Sequence, residues 1–266
     1  MEKGVFLVKK KNGDIYFRAS LTHHGHHISL GSFITESEAS EAYSEASTIL
    51  NDNTISLTTP LSSSLSFEKK VSLINLRDNK MYFKNTIYIL PAYFEYYYSE
   101  DYILKFDVDD LFYYADHKIM KRGNHLFVAD YGMQINILSR YGIHNHSVPG
   151  KDYIFVNGDM TDLRYKNILV INRYKGVTRL EESGRYIYIA KIHINGDYII
   201  GKYSSENEAG IAYNKAADIL NSRGVSIEFE RNYIDGLSSI QYSSLYNKIK
   251  ISKKINNFNC SPADIS

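Results

Sequence analysis

The sequence predicts an α+β protein in which two small modules, each a three-stranded antiparallel sheet with one helix, flank a mixed α+β central domain. Two observations support this prediction. A pattern that begins at Gly4-Val5 recurs at Gly176-Val177, and the segment between the copies is rich in Tyr, Phe and Ile, with short strand-like runs of its own. The predicted domains are residues 1–59, 66–172, 173–230 and 231–266, the last a helical, basic tail whose end, from residue 255, is expected to be disordered.

Each copy of the repeat contains a strand with alternating side chains, the period-two pattern of a sheet with one buried face. Gly25 and the pair Asn195-Gly196 predict the hairpin turns that follow these strands. The predicted inward positions are Phe17, Ala19 and Leu21 in the first copy and Tyr188, Ala190 and Ile192 in the second.

Each copy ends with a predicted amphipathic helix. Thr35 with Glu38, and Ser205 with Glu208, have the spacing of a capping box. Because small side chains let a helix approach a sheet closely, an alanine-rich face is expected to pack against the strands. In the first copy this face consists of Ala39, Ala42, Tyr43 and Ala46.

These residues resemble the Apetala-two (ethylene-response-factor) DNA-binding domain. The resemblance is carried by Tyr174-Lys175-Gly176-Val177, by Tyr-x-Ala-x-Ile at Tyr188–Ile192, and by the Leu-Gly-x-Phe and Glu-Ala-x-x-Ala-Tyr-x-x-Ala patterns. It covers roughly residues 1–52 and 172–222. The resemblance implies a sheet that lies in the major groove of double-stranded DNA, with outward strand residues contacting bases and phosphates.

Carried over by position, the resemblance implies two sets of DNA-contacting residues. The first copy contributes Arg18, Ser20, Thr22, His27 and Ser29. The second contributes Lys175, Thr178, Ile189, Lys191, His193 and Tyr198, with Arg179 and Arg185 flanking the same sheet.

The overall charge is close to zero, with 31 Lys and Arg against 30 Asp and Glu. Any contact with DNA must therefore come from a local arrangement and not from a positive field over the whole chain. One cysteine, Cys260, excludes an internal disulfide framework and cysteine zinc sites, and fits a reducing cytoplasm. No signal peptide or transmembrane helix is expected, so we predict a cytoplasmic, nucleoid-associated protein.

Four histidines, at positions 23, 24, 26 and 27, crowd one predicted turn. They could form a metal site or the exposed tip of a hairpin. No carboxylate or cysteine stands beside them in the sequence, which favours the exposed tip.

The middle of the chain begins with a Ser- and Thr-rich segment, 53–65, that is typical of a linker. A short helix is expected to start within Asp107–Leu111. Strand-like runs are predicted at Val71–Leu76, Met81–Leu90 and Leu126–Val128.

The segment from Tyr153 to Ile168 predicts a strand, an Asn-Gly turn, a helix opened by Asp and capped at Asp162, and a closing Asn-Ile. This order, placed before the second module, resembles the HNH (ββα-metal) homing endonucleases of phages and bacteria. The resemblance implies that Ile154 replaces a metal-binding Asp, Phe155 the general base and Leu163 the central Asn, while Asn167 is retained. Phe and Ile can neither take a proton nor bind a cation. We therefore predict no catalytic residue, no metal and no other cofactor.

Three hypotheses for function remain open. The leading one is a sequence-specific double-stranded DNA-binding protein, a transcriptional or mobile-element regulator derived from an HNH homing endonuclease that lost catalysis. The alternative is an active, divergent, metal-dependent HNH endonuclease in which His144, His146 or Asp152 rebuild the site, with His125 and Asp130 further away. The third is a protein-interaction scaffold that binds no nucleic acid. A basic patch at Lys248, Lys250, Lys253 and Lys254 could touch the DNA backbone, and Arg164 a phosphate or a helix-face carboxylate.

Overall fold

The first module consists of three sequential antiparallel strands and a helix, as the sequence predicts. The computed structural model describes residues 3–60 and 64–259. The strands β1 (Val5–Lys9), β2 (Ile15–His23) and β3 (His26–Phe33) pair in that order, and α1 (Glu36–Asn51) covers one face of the sheet. The core between them is made by Ala19, Leu21, Ile28, Leu30, Ala39, Ala42, Ala46 and Ile49, all buried.

Local signals fix the ends of these elements. The hydroxyl of Thr35 accepts a hydrogen bond from the Glu38 amide, and the Glu38 carboxylate accepts one from the Thr35 amide, so the predicted capping box forms. At the β2–β3 turn, His24 and Gly25 have φ of 46° and 81°. Two successive positive φ values are typical of the type I′ turn that fits the twist of a hairpin.

A second helix, α2 (Phe67–Asn79), adds Leu73, Ile74 and Leu76 to this core. The sequence predicts a strand at Val71–Leu76, and that prediction is wrong. A short apolar run does not distinguish a buried helix from a buried strand. Here the Ser66 hydroxyl caps the helix N-terminus, and Lys80 ends the helix in the left-handed conformation with φ of 61°.

Arg77 joins α2 to the end of α1 and is only 7% exposed. Its Nη1 donates to the carbonyls of Ile49, Asp52 and Ile55 at 3.2, 2.7 and 2.8 Å. Carbonyls in the last turn of a helix have no partner within the helix, and Arg77 supplies one.

We expect Arg77→Ala to lower the free energy of unfolding by about 3 kcal/mol, because it leaves several buried carbonyls without a donor. Urea unfolding of the full chain measures the change. The matched control is Arg122→Ala, which removes an exposed arginine and should change stability by about 0.5 kcal/mol or less. Equal effects of the two substitutions would contradict the role assigned to Arg77.

The predicted linker, 53–65, packs against the first module where it is described. Ile55 and Leu65 are buried in the module's core. The ammonium of Lys70 donates to the carbonyls of Leu57 and Thr59. Residues 61–63 lie outside the described ranges.

The rest of this part of the chain contains two further small sheets. The predicted strand at Met81–Leu90 forms only over β4 (Ile87–Ile89), whereas the predicted strand at Leu126–Val128 lies within β8 (His125–Asp130) and is confirmed. The predicted helix start is also confirmed, as a 3₁₀ turn at Val108–Asp110 that leads into α3 (Leu111–Asp116). The sheets consist of β4, β5 (Tyr93–Ser99) and β6 (Tyr102–Asp107), and of β7 (Ile119–Arg122), β8 (His125–Asp130) and β9 (Met133–Asn136).

The chain divides into two compact units. Unit one comprises residues 1–137 and 159–167, and unit two comprises residues 138–158 and 168–266. Unit two begins with a two-stranded pair, β10 (Tyr153–Phe155) with β11 (Ile168–Val170). None of the helices in the described ranges combines the length and the apolar character needed to cross a bilayer. The secondary structure as a whole confirms an α+β protein.

The second module, in unit two, has the same topology as the first. The hydroxyl of Ser205 caps the helix by accepting from the Glu208 amide, but the Glu208 carboxylate accepts from the Ser204 hydroxyl, so only half of the predicted capping box forms. The module consists of β12 (Val177–Glu182), β13 (Arg185–His193), β14 (Asp197–Tyr203) and α4 (Glu206–Ser222).

The C-terminal segment completes the core of the second module. It contains α5 (Ser239–Lys248) and α6 (Lys253–Asn256), both within the predicted helical tail. Ile255 and Phe258 are buried in this core, so the expectation of disorder from residue 255 is wrong for these residues. Residues 260–266, which include Cys260, lie outside the described ranges.

The two modules repeat one unusual contact. Gly4 and Gly176 have φ of 76° and 72°, and their carbonyls accept from the amides of Ser20 and Lys191 at 2.9 and 2.7 Å. A Cβ atom would lie 2.2 Å from the Tyr43 ring at Gly4, and 2.5 Å from the Tyr213 ring at Gly176. Each tyrosine therefore packs directly on the glycine that precedes the first strand of its module.

Candidate nucleic-acid interface

Cross-strand pairing places the predicted contact residues of the first module on one face of its sheet. Residues directly opposite each other in an antiparallel sheet point to the same side. Arg18 pairs with Phe6 and with Ser32. Ser20 pairs with Ser29, and Thr22 with His27. The face away from α1 therefore carries all five predicted residues of this copy, Arg18, Ser20, Thr22, His27 and Ser29.

The chemistry of this face suits a polyanion with flat bases. The Arg18 guanidinium and the Lys10 ammonium lie 5.5 and 5.6 Å from the centre of the Tyr16 ring. Phe6 is 54% exposed beside Arg18. Among the described strand positions that point outward here, Arg18 is the one cation, and Phe6, Val8 and Tyr16 are apolar or aromatic. The remaining outward positions carry hydroxyls or imidazole, and none carries a carboxylate. The face thus offers hydrogen-bond donors and aromatic surface without a negative charge on its strands.

The outer face of the second module is more mixed. Thr178, Ile189 and Lys202 lie side by side across its three strands. Lys202 forms an ion pair with Glu182 at 2.8 Å, while Lys191 is exposed and forms no ion pair within the described part of the chain. Lys191 lies opposite Ile199, which is 56% exposed. Apolar side chains therefore separate the two lysines on this face.

His193 also lies on the outer face and pairs with Asp197 at 2.9 Å between Nδ1 and Oδ1. The hydrogen bond from His193 is the main cause that lowers the pKa of Asp197. Asp197 therefore stays ionised and engaged with the histidine, leaving the centre of this face to Lys191 and Lys202.

Tyr198 lies on the opposite face, so its predicted placement among the outward residues is wrong. It pairs with the buried Ile192, packs against the module's core and meets the Phe258 ring edge to face at 5.7 Å. The cause is a β-bulge. The pairing shifts after Ala190, so that Ile200 and Gly201 both point inward although they are neighbours in the chain. Strict alternation counted back from the outward Lys202 would place Tyr198 on the outward face, whereas the bulge places it on the inward face. The first module has the same bulge after Ala19.

Of the other predicted residues, Arg179 also lies on the inward side of the sheet. It pairs with Tyr188, and its guanidinium stacks 4.5 Å from the centre of the Tyr186 ring. Arg179 therefore flanks the sheet, but on the side away from the other predicted contact residues of this copy. Arg185 is exposed on the outward side and pairs with Glu182.

Lys175 is held by the segment that follows α4. Its ammonium lies 3.0 Å from the Glu230 carboxylate, and its amide donates to the Asn232 side chain at 2.7 Å. The hydrogen bond from the Lys175 side chain is the main cause that lowers the pKa of Glu230. A phosphate would have to displace Glu230 to bind Lys175.

The histidine-rich turn of the first module shows no metal-binding geometry. Residues His24, His26 and His27 are exposed, and the His23 and His24 rings are 4.2 Å apart. Burial, followed by the charge of His24, lowers the pKa of His23. In the part of the chain that the structure describes, no three His, Cys, Asp or Glu side chains converge to hold a metal ion.

Comparisons of the chain with protein-family models, with curated proteins and with solved structures found no match.

The segment predicted to resemble the HNH frame is divided between the two units. Ile154 and Phe155 lie in β10 of unit two, whereas Leu163 and Asn167 lie in unit one. Leu163 is buried, and the Asn167 amide donates to the carbonyls of Asp159 and Asp162. Asn167 therefore has a structural role in its turn.

The helix predicted after the Asn-Gly turn is absent. Asp159 accepts from the amide and hydroxyl of Thr161, and only a 3₁₀ turn, Tyr165–Asn167, follows. Asp162 is buried and does not cap a helix. Instead it accepts from the Arg164 guanidinium, with 2.7 Å between Nε and Oδ1. Of the two partners expected for Arg164, a phosphate or a carboxylate, the structure therefore contains the carboxylate, which belongs to Asp162.

The residues suggested for a rebuilt metal site have other partners. Asp152 accepts from the Val148 amide at 2.8 Å and from the Asn172 side chain at 2.9 Å. The His144 and His146 rings stack, with 5.4 Å between their centres. Both His146 ring nitrogens are buried without a hydrogen-bond partner, and burial is the main cause that lowers its pKa. His146 stacks on His144, and its Nδ1 lies 3.8 Å from the Glu230 carboxylate, but in the described part of the chain no group of three potential ligands forms around it.

Sequence reasoning missed two outward residues, Lys202 and Phe6. Phe6 could have been found by applying the repeat offset to Thr178, but Lys202 could not, because Ser32 is not among the predicted contact residues. Lys202 corresponds to Ser32 and Phe6 to Thr178, and each occupies the outward position of its pair.

Proposed function

We propose that the protein binds double-stranded DNA through the outward faces of its two sheet modules and acts as a sequence-specific regulator of transcription or of a mobile element. The observation that carries the proposal is the shared outward face of Arg18, Ser20, Thr22, His27 and Ser29. An arginine among small hydroxyl side chains can bond a guanine edge while the hydroxyls bond phosphate or base.

The second module supports the same function with different chemistry. Lys191 provides charge for phosphates, and Lys202 does so where a phosphate displaces Glu182. Thr178, Ile189 and Ile199 provide surface for thymine methyl groups. Two modules in one chain raise the apparent affinity, since binding of one increases the effective concentration of the other. The near-neutral chain then needs only local contacts.

The endonuclease alternative has no observation in its favour. The expected general base and metal ligand positions hold Phe155 and Ile154, and the residues suggested as substitutes make other contacts. The protein-interaction scaffold is not favoured either. Among the described residues, no surface indicates a protein partner more strongly than the two outward faces indicate DNA.

A gel-shift titration of the full chain on duplex DNA at several salt concentrations tests the proposal. With about three phosphate contacts, the affinity should fall roughly 40-fold between 50 and 200 mM salt. Failure to shift duplex DNA at 50 mM salt would contradict the proposal. Cleavage of plasmid DNA in magnesium or manganese would instead favour the endonuclease.

A further inference from the structure

Unit one contains a second feature that the duplex-binding faces do not explain, a cleft between β5 and the β7–β8 hairpin. The cleft has a volume of about 710 Å³. Its floor is fixed by hydrogen bonds: the Tyr96 hydroxyl accepts from the Ile119 amide at 3.0 Å, and the Tyr97 amide donates to the Thr86 carbonyl at 2.8 Å. The cleft is therefore a built feature of the fold and not a gap between loose loops.

Three lysines line this cleft: Lys84, Lys118 and Lys121. All three are exposed, and in the described ranges none of them forms an ion pair. Glu68 is the one carboxylate among the lining residues of this cleft in the described chain. In a protein with a net charge of +1, this is a local concentration of cations without matching carboxylates.

Aromatic side chains lie beside the lysines. Tyr98 is 41% exposed and lines the cleft together with Phe127. Tyr98 meets the Tyr102 ring edge to face at 5.8 Å, and the Lys121 ammonium lies 4.6 Å from the centre of the Tyr102 ring. These contacts hold Tyr98 beside Tyr102, and the Lys121 ammonium lies over the Tyr102 ring.

Cations next to exposed aromatic rings are the combination that binds unpaired nucleotides, since the base stacks on a ring and the phosphate meets an ammonium. The volume of the cleft lies in the range of small-ligand sites. Unstacked nucleotides can enter such a cleft, whereas a base-paired duplex cannot insert its bases there.

We propose that this cleft in unit one binds nucleotides of a single-stranded nucleic acid, with Lys84, Lys118 and Lys121 at the phosphates and Tyr98 stacked on a base. The site is separate from the outward sheet faces and does not depend on the proposed duplex binding.

The test is fluorescence anisotropy of the full chain with fluorescein-labelled ten-nucleotide oligo-dT and oligo-rU at 50 mM salt. Lys84→Gln and Lys118→Gln should each weaken binding about threefold to tenfold, because each removes a phosphate contact. Lys166→Gln is the matched control, since Lys166 is also exposed in unit one but lies outside the cleft. It should leave the affinity unchanged.

Stacking is tested by two substitutions of one residue. Tyr98→Phe keeps the ring and should retain binding, whereas Tyr98→Leu should weaken it about tenfold. Competition with ATP distinguishes a free nucleotide from a strand as the ligand of the cleft. Displacement of the labelled strand by an equal concentration of ATP indicates a free nucleotide, and weak displacement indicates a strand. A preference between oligo-dT and oligo-rU separates DNA from RNA.

The proposal is overturned if neither labelled strand binds, if ATP displaces the strand at equal concentration, if Lys166→Gln weakens binding as much as the cleft variants, or if Tyr98→Leu binds like Tyr98→Phe. Its failure is distinguishable from failure of duplex binding. A variant that lacks Arg18 and Lys191 should still bind the labelled strand, and Lys84→Gln with Lys118→Gln should still bind duplex DNA.

Discussion

Replacing both Arg18 and Lys191 with alanine should lower the affinity for a selected DNA duplex by about 100-fold. A cation that contacts a base edge or a phosphate contributes about 1–3 kcal/mol, and each 1.4 kcal/mol is a factor of about ten. Arg18 lies centrally on the first outward face, between Phe6 and Ser32, and Lys191 is exposed on the second without an ion pair in the described chain. Each single substitution should cost about tenfold.

The matched control removes two cations that lie elsewhere. Arg179 stacks on Tyr186 on the inward side of the second sheet, and Lys166 is exposed in a 3₁₀ turn of unit one. The variant lacking Arg179 and Lys166 has the same net charge as the test variant and should keep nearly all of the duplex affinity. Equal losses in the two variants, measured by anisotropy on one duplex, would show that only overall charge matters.

Gly176→Ala should lower the free energy of unfolding by about 2–4 kcal/mol, comparable to the effect of Arg77→Ala. The new Cβ would lie 2.3 Å from the Lys191 carbonyl oxygen and 2.5 Å from the Tyr213 ring, in backbone with φ of 72°. Left-handed backbone costs a non-glycine residue about 1 kcal/mol, and overpacking a filled core costs about 1–3 kcal/mol more. The fixed backbone oxygen prevents easy relaxation.

Gly184→Ala is the control for backbone strain alone. Gly184 has φ of 75°, and a Cβ there meets nothing within 4 Å. It should cost about 1 kcal/mol. Chemical denaturation of both variants gives the difference, and equal midpoints would refute the contact between Gly176 and Tyr213 as a determinant of the module. Because the Gly176 carbonyl accepts from the Lys191 amide, Gly176→Ala should also weaken duplex binding.

The repeated module could be predicted from the sequence because the features that determine its strands, turn and helix start are local. Alternation in β2, the Thr35 cap and the Gly25 turn each depend on residues within a few positions. The inward positions Ala19 and Ala190 follow from the same alternation and are fully buried. The fold class follows from these elements.

The wrong predictions of secondary structure and order concern segments whose conformation depends on residues far away in the sequence. Val71–Leu76 is helical because its side chains complete the core of α1 and its sheet. Residues 159–167 form a loop held by β6, since the Lys105 amide donates to the Thr161 carbonyl and the Leu163 amide to the Lys105 carbonyl. Ile255 is buried by its packing in the core of the second module. None of these partners is close in sequence.

The side of the sheet on which the candidate residues lie was predicted better in the first module than in the second. In the first, all five residues lie on the outward face. In the second, the bulge after Ala190 reverses the side of Tyr198, and the pairing of Arg179 with Tyr188 places it inward. A bulge has no distinct sequence signature beyond the neighbouring glycine, here Gly201, so alternation alone could not locate it.

Binding-site selection from random duplex DNA, carried out with the full chain and with the single variants Arg18→Ala and Lys191→Ala, tests the central claim most directly. We expect an enriched motif with two parts, one of which loses its information content in Arg18→Ala and the other in Lys191→Ala. Enrichment of no motif, or a motif that both variants leave unchanged, would contradict recognition of DNA by these two faces.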